Sequence, residues 1–405
     1  MTDKAPIKPG LRVLFVSYNG AMDSLGQSQI LPYLREIRKD GHEVILLTFE
    51  RRLHRQGTKD ISEARDGLSR LGIRWRWLAY HKHPPVLSTI WDVLCGVGLV
   101  LWLTFRYACD VLHARSHVAA AMAWPIARLL GKRFVFDLRG QMAHEYADGG
   151  TWNPNGLLCR LVEQAERRFV RDADGLVVLT HTLARDVAPL VANPPAVIPT
   201  CVDLDLFPPL VTATRGAAPR IVYCGSLGAR YAPDLLVLCY VETIRQMPGT
   251  EMTILTHSDS QGLRDALREA GVPSSGYRII QAMHREIPGH LQQAWFGVLL
   301  LRGERSLRGA CPTKVGEYLA AGLPILSSSG IGDCTELLEA NRIGVVLKDH
   351  SPESFREGLR RLVHLMDEGA TLRARCRAVA EKEFSLSAVA GPAYRGLYRS
   401  LEVRR

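Results

Sequence analysis

The sequence predicts an α/β protein built from two facing, doubly wound, Rossmann-like domains with a cleft between them. Three observations carry this expectation. Short apolar runs alternate with amphipathic stretches, and the alternation occurs twice along the chain. The runs are apolar at successive positions, as parallel strands covered on both faces require. Each series opens with a strand leading into a glycine-bearing turn, where such sheets bind ligands. A length of 405 residues accommodates two such domains.

The first series begins with the run Leu11 to Val16, a loop over Ser17 to Gln27, a helix from about Ser28 to Lys39 and a strand from Val44 to Phe49. Further strands are expected at Val111-Leu112, Arg133 to Phe136, Gly175 to Leu179 and Ala196 to Ile198. The Pro/Ala/Thr/Gly segment Phe207 to Pro219 reads as a connector. Six more strands follow, at Ile221 to Cys224, Glu251 to Thr256, Tyr277 to Gln281, Gly297 to Leu301, Pro324 to Ser327 and Gly344 to Leu347. The predicted organisation is a first domain over 1–206, a connector over 207–219, a second domain over 220–385, and a terminal helix over 386–405 that returns toward the first domain.

Composition narrows the class. Apolar residues make up 47% and charged residues 23%, which excludes disordered, collagen-like and disulfide-scaffold proteins. The formal charge of +10 suits nucleic acid, an anionic membrane surface or a phosphate-bearing substrate. Nine cysteines form no CxxC pair, and Cys95, Cys224, Cys239 and Cys334 sit in or beside apolar runs. No zinc spacing is present, so no metal site is expected and a reducing cytosol fits best. MTDKAPIKPG has no apolar signal core. The most apolar uncharged run, Val93 to Phe105, is thirteen residues, too short to cross a bilayer.

Several motifs carry chemistry. The loop Tyr18 to Gln29, with Gly20 and Gly26, opens a helix and offers backbone N–H groups to a phosphate or a sugar hydroxyl. Its glycine spacing departs from GxGxxG, which weakens a nicotinamide-dependent oxidoreductase reading; Glu50 at the next strand end keeps that reading open, or is a solvated strand end. Asp203-Leu-Asp205 has a metal-binding spacing, but its surroundings read as a strand end entering the connector. The most informative stretch is Cys311-Pro312-Thr313-Lys314-Val-Gly-Glu317, running on to Gly322 and Pro324. Pro312 suits a helix start, placing Thr313 and Lys314 in the first turn at the positive end of the dipole, an arrangement suited to a diphosphate. Glu317 falls on the same face, where a carboxylate can accept from a ribose diol; a surface Lys–Glu pair is the alternative.

Together with Ala173-Asp174-Gly175, the connector Val197 to Phe207, Tyr223-Cys-Gly225-Ser226-Leu227 and Gly330-Ile-Gly332-Asp333, these pieces resemble, nearly end to end, a retaining GT-B glycosyltransferase of the large family 4. The resemblance implies a donor nucleotide against the second domain and an acceptor against the first. It implies a donor set of Gly26, Gly225, Ser226, Thr313, Glu317, Gly332 and Asp333. It also implies chemistry at Arg230, Lys314, Asp137 and Arg139, with Arg115 and Glu145 on the acceptor side. Asp137 with Arg139 also reads as a structural ion pair. Glu317 matches the second Glu of the family's E-x7-E motif; the first falls at Gly309 and is absent, with Glu304 nearby but out of register.

The implied reaction is hexosyl transfer from a nucleotide-diphosphate sugar with retention of configuration, using no metal and no cofactor beyond that co-substrate, in bacterial-type polysaccharide or glycolipid assembly. The remaining readings are a GT-B epimerase or hydrolase, a catalytically silent GT-B subunit, and last the oxidoreductase. Between Arg51 and His83 nine Lys/Arg face three Asp/Glu, with Trp75, Trp77 and Tyr80 interleaved and an apolar helix following at Trp91 to Tyr107. Segment 51–107 therefore suits an anionic membrane surface, or is a solvated face beside a buried helix. A nucleic-acid partner is not expected. The acceptor is a saccharide or is lipid-linked, and the expected location is the cytoplasm, with the inner face of the plasma membrane as a peripheral station.

Overall fold

The structure, a computed structural model, describes residues 10–51, 58–208, 219–228, 231–303 and 305–403, without the side chains of 58–60. Arg230, Glu304 and residues 209–218 of the connector lie outside the described residues.

The first domain is a seven-stranded parallel sheet of β1 (Arg12–Ser17), β2 (Glu43–Glu50), β3 (Ile73–Ala79), β4 (Val111–Arg115), β5 (Arg133–Leu138), β6 (Gly175–Val178) and β7 (Ala196–Val197). Its spatial order is β3-β2-β1-β4-β5-β6-β7. The second is a six-stranded parallel sheet of β8 (Arg220–Cys224), β9 (Glu251–Leu255), β10 (Tyr277–Ile280), β11 (Phe296–Leu299), β12 (Ile325–Ser327) and β13 (Gly344–Val346), in the order β10-β9-β8-β11-β12-β13. In each sheet strand order reverses beside the first strand, between β1 and β4 and between β8 and β11. Loops diverge there and leave a crevice at the carboxyl ends. Alternate residues of β1 feed opposite faces, Leu14 and Val16 one core and Val13 and Phe15 the other, which is why the strand reads as a continuous apolar run.

One strand departs from expectation. Ile73–Ala79, taken as part of a basic segment with interfacial aromatics, is edge strand β3. Trp75 is fully buried and donates from Nε1 to Thr48 Oγ1 at 2.8 Å, while Arg74 and Arg76 point outward. The period of two in Ile-Arg-Trp-Arg-Trp is the strand signal.

The apolar helix is also longer than expected. It runs Pro85–Arg106, 22 residues, long and apolar enough by length and composition to cross a membrane. Its inward face (Ser88, Asp92, Gly96, Val100, Leu103) is buried on the first domain. Asp92 accepts from Tyr18 Oη at 2.7 Å and from the His81 backbone N–H at 3.1 Å, so the charge taken as the run's boundary is an internal, partnered one. The opposite face leaves Leu87, Trp91, Leu94, Trp102 and Phe105 exposed in a single stripe.

The chain crosses between domains twice, side by side. Val202 N–H donates to Phe384 C=O at 2.7 Å and Leu386 N–H to Val202 C=O at 3.1 Å. The terminal helix Gly391–Glu402 then packs in the first domain, with Tyr394, Tyr398 and Leu401 in its core and His113 Nδ1 2.7 Å from Tyr398 Oη.

Candidate active site

A cavity of about 640 Å³ lies between the carboxyl ends of the two sheets. Ser24, Gln29, Arg115, Arg139 and Glu145 line it from the first domain, and Gly225, Ser226, Thr313, Lys314 and Glu317 from the second. Sequence residues more than 280 positions apart therefore share one space. A larger groove of about 1110 Å³ behind the hinge is lined by His181, Asp333 and Glu336 but by none of the charged residues just named. The catalytic expectation concerns the smaller cavity.

On the second-domain wall, Pro312 caps the helix Thr313–Ala320, and its first turn faces the cavity. Lys314 is buried, and among the described residues its Nζ has no hydrogen-bond acceptor. It lies 4.0 Å from the Tyr223 ring centroid and 5.0 Å from that of Tyr231, so aromatic faces support the ammonium. Burial pushes its pKa down to about 8, against the opposing pull of Cys224 and Glu317. Burial likewise pushes Glu317 up to about 7, with Lys314 pulling the other way. Gly225, at φ +143°, passes so close that a Cβ would sit 2.8 Å from Lys314 Nζ. A buried cation without an anion and a carboxylate reluctant to ionise together make a site short of its ligand.

On the first-domain wall, β4 and β5 pair with Arg115 opposite Asp137. Asp137 is fully buried and does not line the cavity. Its Oδ2 accepts from Arg115 Nη1 at 3.2 Å, and its Oδ1 lies 3.5 Å from Arg139 Nη1. Burial works against its charge, but Arg139, His113 and Arg115 hold its pKa at about 2. The expectation that Asp137 meets substrate is thus corrected: it is a positioning residue behind two guanidiniums. His113, two residues before Arg115 on β4, is buried beneath this wall.

Other expected residues are placed elsewhere. Asp333 and Gly332 stand at the domain interface and not in the smaller cavity. Asp333 accepts from the N–H of His181 at 2.6 Å, the N–H of Thr182 at 3.0 Å and Thr182 Oγ1 at 2.8 Å, capping a helix of the opposite domain. Gly332, at φ +45°, is pressed against Ala310 C=O and Thr180, where no Cβ fits. Gly26 serves the loop itself, since a Cβ would clash with the carbonyls of Gly20 and Ala21; its neighbours Ser24 and Leu25 reach the cavity. Glu50 is no solvated strand end. It is buried, with Oε1 2.6 Å from both Ala21 N and Thr48 Oγ1, and so holds the glycine loop to β2 and leaves no carboxylate for a nicotinamide ribose. Gly309 is buried, and a Cβ there would sit 3.0 Å from Leu183 Cδ2, so the glutamate that the family pattern places there would crowd that side chain. Asp203 accepts from Asp205 N–H within its own turn. His284 lines the cavity although no sequence motif singled it out; Gln29, the last residue of the glycine-bearing loop, and Tyr231, next to Arg230, line it too.

Comparison with known families decides the class. Residues 27–201 match the Glycosyl transferase 4-like domain model, and residues 218–364 match the Glycosyl transferases group 1 model. The chain belongs to the group 1, family 4-like glycosyltransferases, with the GT-B fold. A search of curated protein sequences returns no match. Among solved structures, this glycosyltransferase is similar to sucrose-phosphate synthase from Thermosynechococcus elongatus, at a TM-score of 0.76 and 14% identity, covering 98% of this chain and 100% of that one. It is similar to Anabaena HepE in complex with UDP and glucose, at 0.69 and 12%, covering 96% and 99%. It is also similar to WaaG, a glycosyltransferase involved in lipopolysaccharide biosynthesis, at 0.63 and 14%, covering 95% and 99%. At these identities the likeness concerns the fold.

Proposed function

We propose that this glycosyltransferase moves a hexosyl residue from a nucleoside-diphosphate sugar, seated against the second domain, to an acceptor held against the first, with retention of configuration. The observation that carries the reading is Lys314: a buried ammonium without an acceptor, at the start of a helix, one turn from a buried carboxylate. The donor diphosphate completes the ammonium's coordination, and backbone N–H groups of the first turn add to it. Glu317 accepts from the ribose hydroxyls. As the glycosidic C–O bond breaks, negative charge grows on the leaving phosphate, and Lys314 stabilises that charge where water is excluded. The family resemblance implies Arg230, outside the described residues, as the other cation of this clamp.

A covalent intermediate would need a carboxylate free to reach the anomeric carbon. Asp137 is enclosed behind its arginines and Gly309 supplies none, which leaves Glu145 as the first-domain carboxylate lining the cavity; the proposed route is a front-face one in which the departing phosphate takes the acceptor's proton. In this reading Lys314, Arg230 and the helix terminus neutralise the leaving group, and no metal takes part. The exposed apolar stripe on helix Pro85–Arg106, with Arg74, Arg76 and Arg106 beside it, supports peripheral docking on an anionic bilayer and thus a membrane-associated acceptor in glycolipid or polysaccharide assembly at the cytoplasmic face.

Incubating the protein with a panel of nucleotide sugars and measuring nucleotide release tests the reading. Release from one donor, accelerated by an acceptor, is the expected result. Release unaffected by any acceptor favours a hydrolase or epimerase, and no release from any donor supports a catalytically silent subunit.

A further inference from the structure

On the first-domain wall two buried guanidiniums have one carboxylate within 4 Å between them among the described residues. Arg115 and Arg139, both more than nine-tenths buried, share the single carboxylate of Asp137. Among the described residues Arg115 makes one side-chain hydrogen bond, to Asp137, and it lines the cavity. Arg139 reaches the Ile198 carbonyl at 3.4 Å and Gln29 Oε1 at 3.5 Å, both long, and its buried Nε finds no acceptor. None of the other described groups packed around the pair places a carboxylate within 4 Å of either guanidinium. Tyr33 donates to the Pro199 carbonyl at 2.8 Å, and burial keeps Tyr394 a neutral phenol. Burial lowers the pKa of His113 and so keeps it neutral. Glu145, the other acid of this wall, stands against Gly140 in the first turn of its own helix. Burial, and then the charge of Arg139, push Arg115 down to about 10, as befits a guanidinium short of an anion.

We propose that this wall is a seat for a phosphate-type group carried by the acceptor, gripped by Arg115 and Arg139. The proposal rests on the transferase reading above and names the acceptor's chemistry. The reason lies in geometry and charge. A guanidinium fork pairs with two oxygens, and a phosphate monoester has three terminal oxygens to offer two forks. Asp137, held ionised beneath, fixes both forks from behind without using up their charge. The donor's own phosphates have Lys314 on the opposite wall. An uncharged sugar would leave the excess guanidinium unpaired in a closing cleft.

Titration calorimetry on the full-length protein, saturated with the nucleoside diphosphate that the donor panel selects, tests this. The probes are glucose 6-phosphate against glucose, and a short-chain polyprenyl phosphate against its alcohol in detergent. At least one phosphate form should bind tenfold or more tightly than its uncharged partner. That preference should vanish in Arg115→Gln and survive in part in Arg115→Lys, with nucleoside diphosphate affinity changed by less than twofold. Preference in the glucose pair alone identifies a soluble sugar phosphate, and preference in the polyprenyl pair alone a lipid-linked one. Equal binding within both pairs overturns the proposal, as does a parallel loss of nucleotide affinity in Arg115→Gln. If Arg115→Gln melts early, the wild-type comparison within each pair decides. A protein that binds and turns over nucleotide sugars but shows no phosphate preference loses this inference and keeps the transferase reading.

Discussion

Lys314 and Glu317 stand one helical turn apart in the same cavity, yet they form no ion pair within 4 Å among the described residues. Among the described residues His284 Nδ1, at 3.9 Å, is the only basic nitrogen within 4 Å of Glu317. The space between lysine and glutamate is where a ligand has to fit, and their displaced pKa values make its binding depend on pH.

Affinity for the nucleotide sugar should therefore peak between about pH 7 and 8. Above about 8 the free lysine loses its proton, and affinity falls by up to about tenfold per pH unit; below about 7 the glutamate is neutral and ceases to be a pure acceptor. Lys314→Arg should abolish the alkaline limb, and Lys314→Ala should weaken binding by roughly 10- to 100-fold, the worth of a charge-assisted bond. The intact sugar nucleotide is the right probe, because its diphosphate diester does not titrate in this range. An alkaline limb that persists in Lys314→Arg refutes the assignment.

Glu317 should trade stability for function. Its folded pKa lies above its unfolded one, so the stability linked to its protonation is present below about 4.5 and lost as pH rises through about 7. Ionising it in the ligand-free protein costs about 3 kcal/mol. Glu317→Gln should melt several degrees higher at pH 8, with the gain shrinking toward pH 5, while donor affinity falls. Thermal melts across pH, with and without donor, check both halves.

Asp333 should control closure of the domains. Its three accepted bonds cap a helix across the interface, and their loss costs about 1–2 kcal/mol. Asp333→Ala should enlarge the radius of gyration seen by small-angle scattering and raise KM for both substrates several-fold. Unchanged scattering would show that other contacts suffice, such as the fork of Arg308 on Asp186 at 2.7 and 2.8 Å.

Membrane docking through helix Pro85–Arg106 is checked by flotation with anionic vesicles. Binding should be strong at low salt and weak at high salt, and the double substitution Trp91→Ser with Trp102→Ser should reduce it by roughly two orders of magnitude, at about 1.5–3 kcal/mol per buried side chain. Equal flotation with neutral lipid would point to apolar insertion alone, and no flotation at all would remove the membrane from the reading.

Both sheets were legible from sequence because strands buried on two faces need apolar residues throughout, as in Leu11 to Val16 and Ile221 to Cys224. The edge strand Ile73–Ala79 was not, because one of its faces meets solvent and its arginines imitate a charged surface segment. The full length of helix Pro85–Arg106 was hidden by Asp92, whose partners Tyr18 and His81 are fixed only by the fold. Lys314 and Glu317 were recoverable from a local helix start. The roles of Asp333 and Glu50 were not, since each carboxylate serves backbone N–H groups that sequence separation conceals, 152 residues away for Asp333 and 29 for Glu50.

The paired crossings at Val202 and Phe384–Leu386 change how the second domain must be thought of mechanically. Both of its ends are anchored in the first, so it behaves as an insert turning on a double hinge, like a door leaf and not a pendulum. Trimming the last helix would then injure the half of the molecule to which it is a stranger in sequence, exposing the core around Tyr394 and Tyr398, and would leave the nucleotide half attached by a single strap.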